Sequence, residues 1–217
     1  MNTINPTPKQ LRDSKLGHRV AKALNDRFFE AWYFDDRHEA VAKVISLIPK
    51  TDSVSWGGSA TVSDLGIQEK LGAEGYRLID RDKAGSKEER HEIMRQAFLC
   101  DTYLTGTNAI TEDGQLVNID GMGNRVAAML FGPKQVIVVA GMNKVVKSVD
   151  DALKRAQHIA APINIQRFPQ LKTPCSETGG CANCSSADSI CSYIVTTRLC
   201  KPKGRIKVIL IGESLGF

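Results

Sequence analysis

Long apolar runs are missing from this chain: stretches such as Val136 to Ala140 fall far short of the roughly 20 residues a membrane-spanning helix needs. Met1 is followed by polar residues rather than an apolar targeting core, so the expected location is the cytoplasm. Strong charge of one sign is missing too. The 29 Lys and Arg against 24 Asp and Glu leave +5, spread along the chain, which argues only weakly for an anionic ligand. Histidine is scarce, and His18, His38, His91 and His158 fall on predicted helices without a second His or a carboxylate at ligand spacing. There is no GxxxxGKS/T nucleotide loop, no dinucleotide fingerprint after a strand, no internal repeat and no low-complexity tract. What is present is ample apolar residue, 42% of 217, enough to bury a full core in one domain.

The periodicities alternate. Residues 9 to 31 predict a helix with Leu16, Val20, Leu24, Phe28 and Ala31 on one face, and a second helix capped by Asp35 or Asp36 ends before Pro49. Strands are expected at Ser53 to Trp56, Tyr76 to Asp80, Thr102 to Thr105, Gln115 to Ile119, Gln135 to Ala140 and Lys207 to Ile211. Helices are expected at Ser63 to Leu71, after the Ser86 and Glu89 capping box, at Asn124 to Leu130, and from Ser148 through Ile159. This order predicts an α/β fold with a mostly parallel sheet flanked by helices, preceded by an N-terminal helical pair. The expected organisation is one domain over 1–217, with N-terminal helices in 1–50, a ligand-binding core in 51–170, and a cysteine segment with a closing strand in 171–217.

Polar and glycine residues gather in three places. Gly57, Gly58, Ser59, Ala60 and Thr61 stand where a strand hands over to a helix, a place where amides and hydroxyls can surround an anion. Thr105, Gly106, Thr107 and Asn108 follow a second strand; Asn118, Asp120, Gly121, Gly123, Asn124 and Arg125 follow a third. Strand ends are where open α/β sheets bind ligands. Arg125 is the candidate two-pronged clamp for a carboxylate or phosphate, and Glu112, Asp113 and Asp120 are candidates for general acid or base. Asp113 with Gly114 equally suits a plain hairpin turn, and Asp120 and Asn124 equally suit caps of the next helix.

Five of the six cysteines lie near the C-terminus: Cys175, Cys181, Cys184, Cys191 and Cys200. In a reduced compartment such a density suits a metal rather than disulfides, and four thiolates fit tetrahedral zinc or an iron–sulfur cluster equally. The CxxC at 181 to 184 alone would suit a redox pair, and Cys100 a buried small hydrophobe. Arg198, Lys201, Lys203, Arg205 and Lys207 form a local basic run. Without interleaved aromatic residues or a nucleic-acid motif it suits a solvated edge, or a face for an acidic partner, rather than nucleic acid.

The string TGTNAITEDGQLVNIDGMGNRVAAMLFGPKQVIVV, with WGGSATVSDLGI upstream and the ending VILIGESLGF, resembles the lactate-utilisation (LUD) domain family, and spans nearly the whole chain. Pro174, Cys175, Cys181, Cys184, Ile190 and Cys191 match the PC, CxxC, IC tail of its short single-domain members. The resemblance implies a sheet of the kind shared by ribose-phosphate isomerases, glucosamine-phosphate deaminases, coenzyme A transferases and folate cyclo-ligases. It also implies a link to the oxidation of L-lactate to pyruvate beside partners rich in iron–sulfur motifs. A glutamate placed for a coenzyme A thioester is not evident, so those relatives' activities do not transfer.

Three expectations follow. The first is a redox component in which the cysteines hold a cluster and the pocket holds a small anionic hydroxy acid or cofactor. The second is an isomerase-like or hydrolase-like enzyme for a phosphorylated or carboxylated metabolite, with zinc as a fixture. The third is a non-catalytic assembly protein docking through its basic edge. Association into a homo-oligomer is compatible with each.

Overall fold

The structure, a computed structural model, describes residues 5–217. In chain order its elements are α1 (Pro8–Asp26), β1 (Glu30–Phe34), α2 (Arg37–Ser46), β2 (Ser53–Trp56), α3 (Ala60–Asp64), α4 (Ile67–Ala73), β3 (Arg77–Ile79) and α5 (Lys87–Gln96). There follow β4 (Thr102–Thr105), β5 (Ala109–Thr111), β6 (Leu116–Asp120), α6 (Asn124–Leu130), β7 (Gln135–Gly141), β8 (Val145–Val146) and α7 (Val149–Arg155). A π-helical turn over Ala156–Ala160 leads into α8 (Ala161–Ile165), then come α9 (Pro174–Thr178), β9 (Tyr193–Thr197) and β10 (Ile206–Ile211). No described helix is long and apolar enough to cross a membrane.

Six strands form one sheet in the order β1-β10-β7-β4-β2-β3, with every neighbouring pair parallel. The fold is therefore the α/β, mostly parallel kind that the sequence predicts. Strand alternation sends the side chains of β7 to two separate cores. Val136, Val138 and Ala140 pack with Leu16, Val20 and Leu24 of α1, while Ile137 and Val139 pack with Val44 of α2 and Leu71 of α4. A strand covered on both faces has to be apolar throughout, which is why QVIVVAG reads as one continuous run.

Two departures from the predicted elements matter. The first helix stops at Asp26, and Phe28 takes a left-handed conformation with φ of 68°. Ala31 then lies in β1, paired with Val208 of β10, and Asn25 bonds both the N–H and the carbonyl of Ala31 to hold the corner. The apolar spacing at Phe28 and Ala31 imitates a helix face, yet Phe28 is 46% exposed. The second departure is an additional sheet, β8-β5-β6-β9, whose β5–β6 and β6–β9 pairs are antiparallel. The TEDG segment is its hairpin turn: the Gly114 amide donates to the Thr111 carbonyl, and Asp113 pairs with Arg27 of the α1 corner.

Candidate functional site

The C-terminal ends of β2, β4 and β6 open onto a cavity of about 630 Å³. Of the residues singled out in the sequence, it brings together Gly57, Gly58, Ser59, Gly106, Thr107, Asn108, Asp120, Gly121, Asn124 and Arg125. Thr61, Thr105 and Asn118 are fully buried supports outside its lining. The Thr105 hydroxyl donates to the Gly106 carbonyl, and Asn118 accepts from Arg125 at 2.7 Å. Gly123 N-caps α6 and packs on Tyr193. A Cβ at Gly106 would stand 2.7 Å from Ser59 Oγ, so a side chain there would displace the hydroxyl that caps α3 at the cavity.

Three expectations about these residues need correction. Arg125 does not present a free fork. Its terminal nitrogens donate to the Gly106 carbonyl, Asn118 Oδ1, Asn108 Oδ1 and the Ile119 carbonyl, and its Nε faces Asp120 at 3.7 Å. It ties the two glycine-rich blocks to each other. Asp120 is likewise committed, accepting from the amides of Gly123 and Val126 at the start of α6. Glu112 is outside the cavity, held by Arg19 and Lys147 beside the β5–β6 turn. Within the Gly57 turn, moreover, the amides of Gly57 and Ser59 are taken by the Leu104 and Gly57 carbonyls.

The polar groups left over come mainly from residues the sequence did not single out. Arg81, Lys144 and Arg167 line the cavity and have no carboxylate partner among the described residues, whereas Arg90 is neutralised by Asp82 at 2.9 Å. Trp56 Nε1 and Arg81 Nε are buried without a hydrogen-bond partner among the described residues, and both residues line the cavity. Lys144 is only 4% exposed and donates to Thr61 Oγ1 at 3.0 Å. Burial, with the guanidiniums of Arg155 and Arg125 nearby, pushes its amine down to about 7. Its signal in the sequence is a lone cation within GMNKVV, just after the longest strand. The cavity is thus electropositive and rich in unused donors, which suits a small anion.

The opposite wall comes from the cysteine segment. Asp188, Ser189, Ile190 and Ser192 line the cavity on either side of Cys191. The Cys191 thiol is pushed up to about 11 by burial and by the neighbouring thiols of Cys175, Cys181 and Cys184. Four thiols that feel one another are a donor set suited to a thiophilic metal. Among the described residues, however, no three His, Cys, Asp or Glu side chains already stand at ligand spacing. Cys200 is not one of the four. It is 2% exposed in the core beside Ile206, donating to the Pro202 carbonyl and accepting from the Ile206 amide. Cys100 is a buried apolar residue, its thiol raised to about 12 by desolvation.

Comparison with known proteins agrees with this architecture. The crystal structure of a DUF162 family protein from Deinococcus radiodurans superposes with a TM-score of 0.53 and 11% identity over 95% of this chain and 99% of that one, which shows a shared fold. Ribose 5 phosphate isomerase A from Neisseria gonorrhoeae matches at a TM-score of 0.34 and 16% identity, over 52% of this chain and 54% of that one. eIF2B beta from Chaetomium thermophilum matches at 0.39 and 15%, over 54% and 45%. No curated protein matches in sequence. The sequence model of the LUD domain matches residues 17–211, which takes in every strand of both sheets and the whole cysteine segment, and the chain belongs to the LUD-domain family.

Proposed function

We propose that this protein is a component of a cytoplasmic system oxidising L-lactate to pyruvate, binding a small carboxylate in the electropositive cavity and a metal or iron–sulfur cluster on Cys175, Cys181, Cys184 and Cys191. One observation carries the reading: Asp188, Ser189, Ile190 and Ser192 line the cavity and flank Cys191, so the cysteine segment supplies one of its walls. The lactate component of the reading comes from the family resemblance, and the anion component from Arg81, Lys144 and Arg167. A cluster on the four thiols would supply one-electron redox chemistry. The chain's own residues hold the acid between the sheet wall and the cysteine wall and fix the two glycine-rich blocks through Arg125.

Anaerobic purification followed by iron, sulfide and zinc analysis and an absorption spectrum tests the metal. Iron with equivalent sulfide and a brown colour supports electron transfer; zinc alone removes the redox role and leaves a structural metal; neither removes the centre altogether. Calorimetric titration with L-lactate and pyruvate tests the pocket. Arg81→Ala is expected to weaken binding about tenfold, in line with loss of a charge-assisted contact. Unchanged affinity would remove the carboxylate assignment.

A further inference from the structure

Lys144 belongs to the turn after β7, the sheet strand that neighbours β4, with β2 next beyond it. The C-terminal ends of these three parallel strands carry Gly57, Gly106 and Lys144, all lining the same cavity. The amine is nearly closed off from bulk water, and the single hydrogen bond it makes among the described residues is to a hydroxyl, Thr61 Oγ1. Arg125 of α6 and Arg155 of α7 face it with like charge, and the carboxylate of Asp64 at the end of α3 opposes them. As a structural prop this is a poor choice. An apolar side chain would fill the same volume without carrying a buried amine among guanidiniums. As a nucleophile it is a good one, because an amine that sheds its proton near neutrality can attack a carbonyl.

We propose that Lys144 is the covalent binding group of the cavity, its ε-amine condensing with the carbonyl carbon of an α-keto acid to form an imine. The lone pair of the neutral amine forms the new carbon–nitrogen bond while the carbonyl π pair moves to oxygen. The carbinolamine then loses that oxygen as water, together with both amine hydrogens, and a carbon–nitrogen double bond remains. No oxidant or reductant takes part. Arg81 and Arg167 supply unpaired positive charge in the same cavity for the carboxylate. This inference rests on the carboxylate half of the function proposed above and is independent of the metal.

The test is reductive trapping on the full chain with pyruvate and sodium cyanoborohydride, read by intact mass and peptide mapping. One adduct is expected, equal to pyruvate less water plus two hydrogens, located on Lys144. At pH 7 its yield should exceed that at any other lysine by about tenfold or more, since exposed amines stay protonated there. Its pH profile should be half-maximal near 7, where the burial-depressed amine titrates. Lys144→Met should abolish the adduct, with circular dichroism confirming its fold. An unmodified Lys144 in the wild-type chain, or an adduct spread evenly over lysines, overturns the proposal. If pyruvate binds in calorimetry but is never trapped, the imine is lost and the carboxylate pocket stands. If it is trapped in a protein free of iron, the imine stands and the redox role is lost.

Discussion

The cavity's two walls are built on opposite terms. One hangs from β2, β4 and β6, whose residues are almost all fully buried, and Arg125 clamps its two loops through four hydrogen bonds. The other belongs to residues 179–192, which contain no helix or strand and not one buried residue. A few polar bonds hold that stretch: the Lys172 amide to Asp188, Ser186 Oγ to the Lys172 carbonyl, and the Cys191 amide to Ser189 Oγ. Apolar burial is the main stabilising contribution a folded chain has, and the second wall makes almost no use of it. A long irregular stretch inside a compact domain generally has a functional cause. The difference teaches that the sheet wall is held by its own buried core, whereas the cysteine wall rests on a few polar bonds.

The largest break in that comparison should come from Arg125→Ala. It strands the acceptors of Asn108 and Asn118 and leaves Asp120 without its cation, so the expected cost is about 3–5 kcal/mol, read as a lower midpoint in urea. A loss below about 1 kcal/mol would show that the sheet wall does not depend on this strut.

Removal of the proposed metal, or Cys184→Ser, should act on the other wall alone. Limited proteolysis between residues 179 and 192 is expected to accelerate about tenfold or more, while the cooperative unfolding of the sheet moves little, since few buried contacts join the two regions. Global unfolding on chelation would mean that the sheet, too, leans on the metal.

A third test separates the ligand-binding lysine from its frame. Lys144 titrates near 7 in the fold against an ordinary value of 10.5, so between those values the unfolded chain holds more protons and stability rises with pH. Lys144→Met removes this burden. It should stabilise the protein by about 2 kcal/mol at pH 7 or below, and the gain should fade as pH approaches 10.5, followed by thermal melts across that range. A pH-independent gain would show that packing rather than charge burial distinguishes the two side chains.

Which parts were legible in the sequence follows the same divide. β7, the Ser86 cap and the glycine-rich loops carry local patterns, so apolar runs and cap residues mark them directly. β9, YIVTT, has β-branched and aromatic residues but no alternation of apolar and polar ones, and its partner β6 is some 75 residues away in sequence, so its place in a sheet was not legible. The corner at Phe28 was hidden because a left-handed residue is rarely aromatic. Arg125 was legible as important but not in its role, since its acceptors are two carbonyls and two amides assembled by tertiary folding. Lys144 was hidden by the general expectation that lysine faces solvent. The four neighbouring cysteines were visible as a group, whereas the separation of Cys200 depends on a core contact with Ile206.

The smallest effect should appear where the two walls touch. A Cβ added at Gly121 would stand 3.0 Å from Ile190 Cα, which is tight for a backbone neighbour. Were Ile190 part of a packed strand, such an approach would cost in the range of an overpacked core, about 1–3 kcal/mol. Ile190 instead lies in the stretch without regular structure and can retreat by a few tenths of an ångström. Gly121→Ala should therefore cost less than about 1 kcal/mol in stability. It should still disturb the cavity, because Gly121 and Ile190 both line it, and weaker pyruvate binding in calorimetry at nearly unchanged melting temperature is the expected pair of results. A stability loss as large as that of Arg125→Ala would show that the cysteine wall is as rigid as the sheet wall.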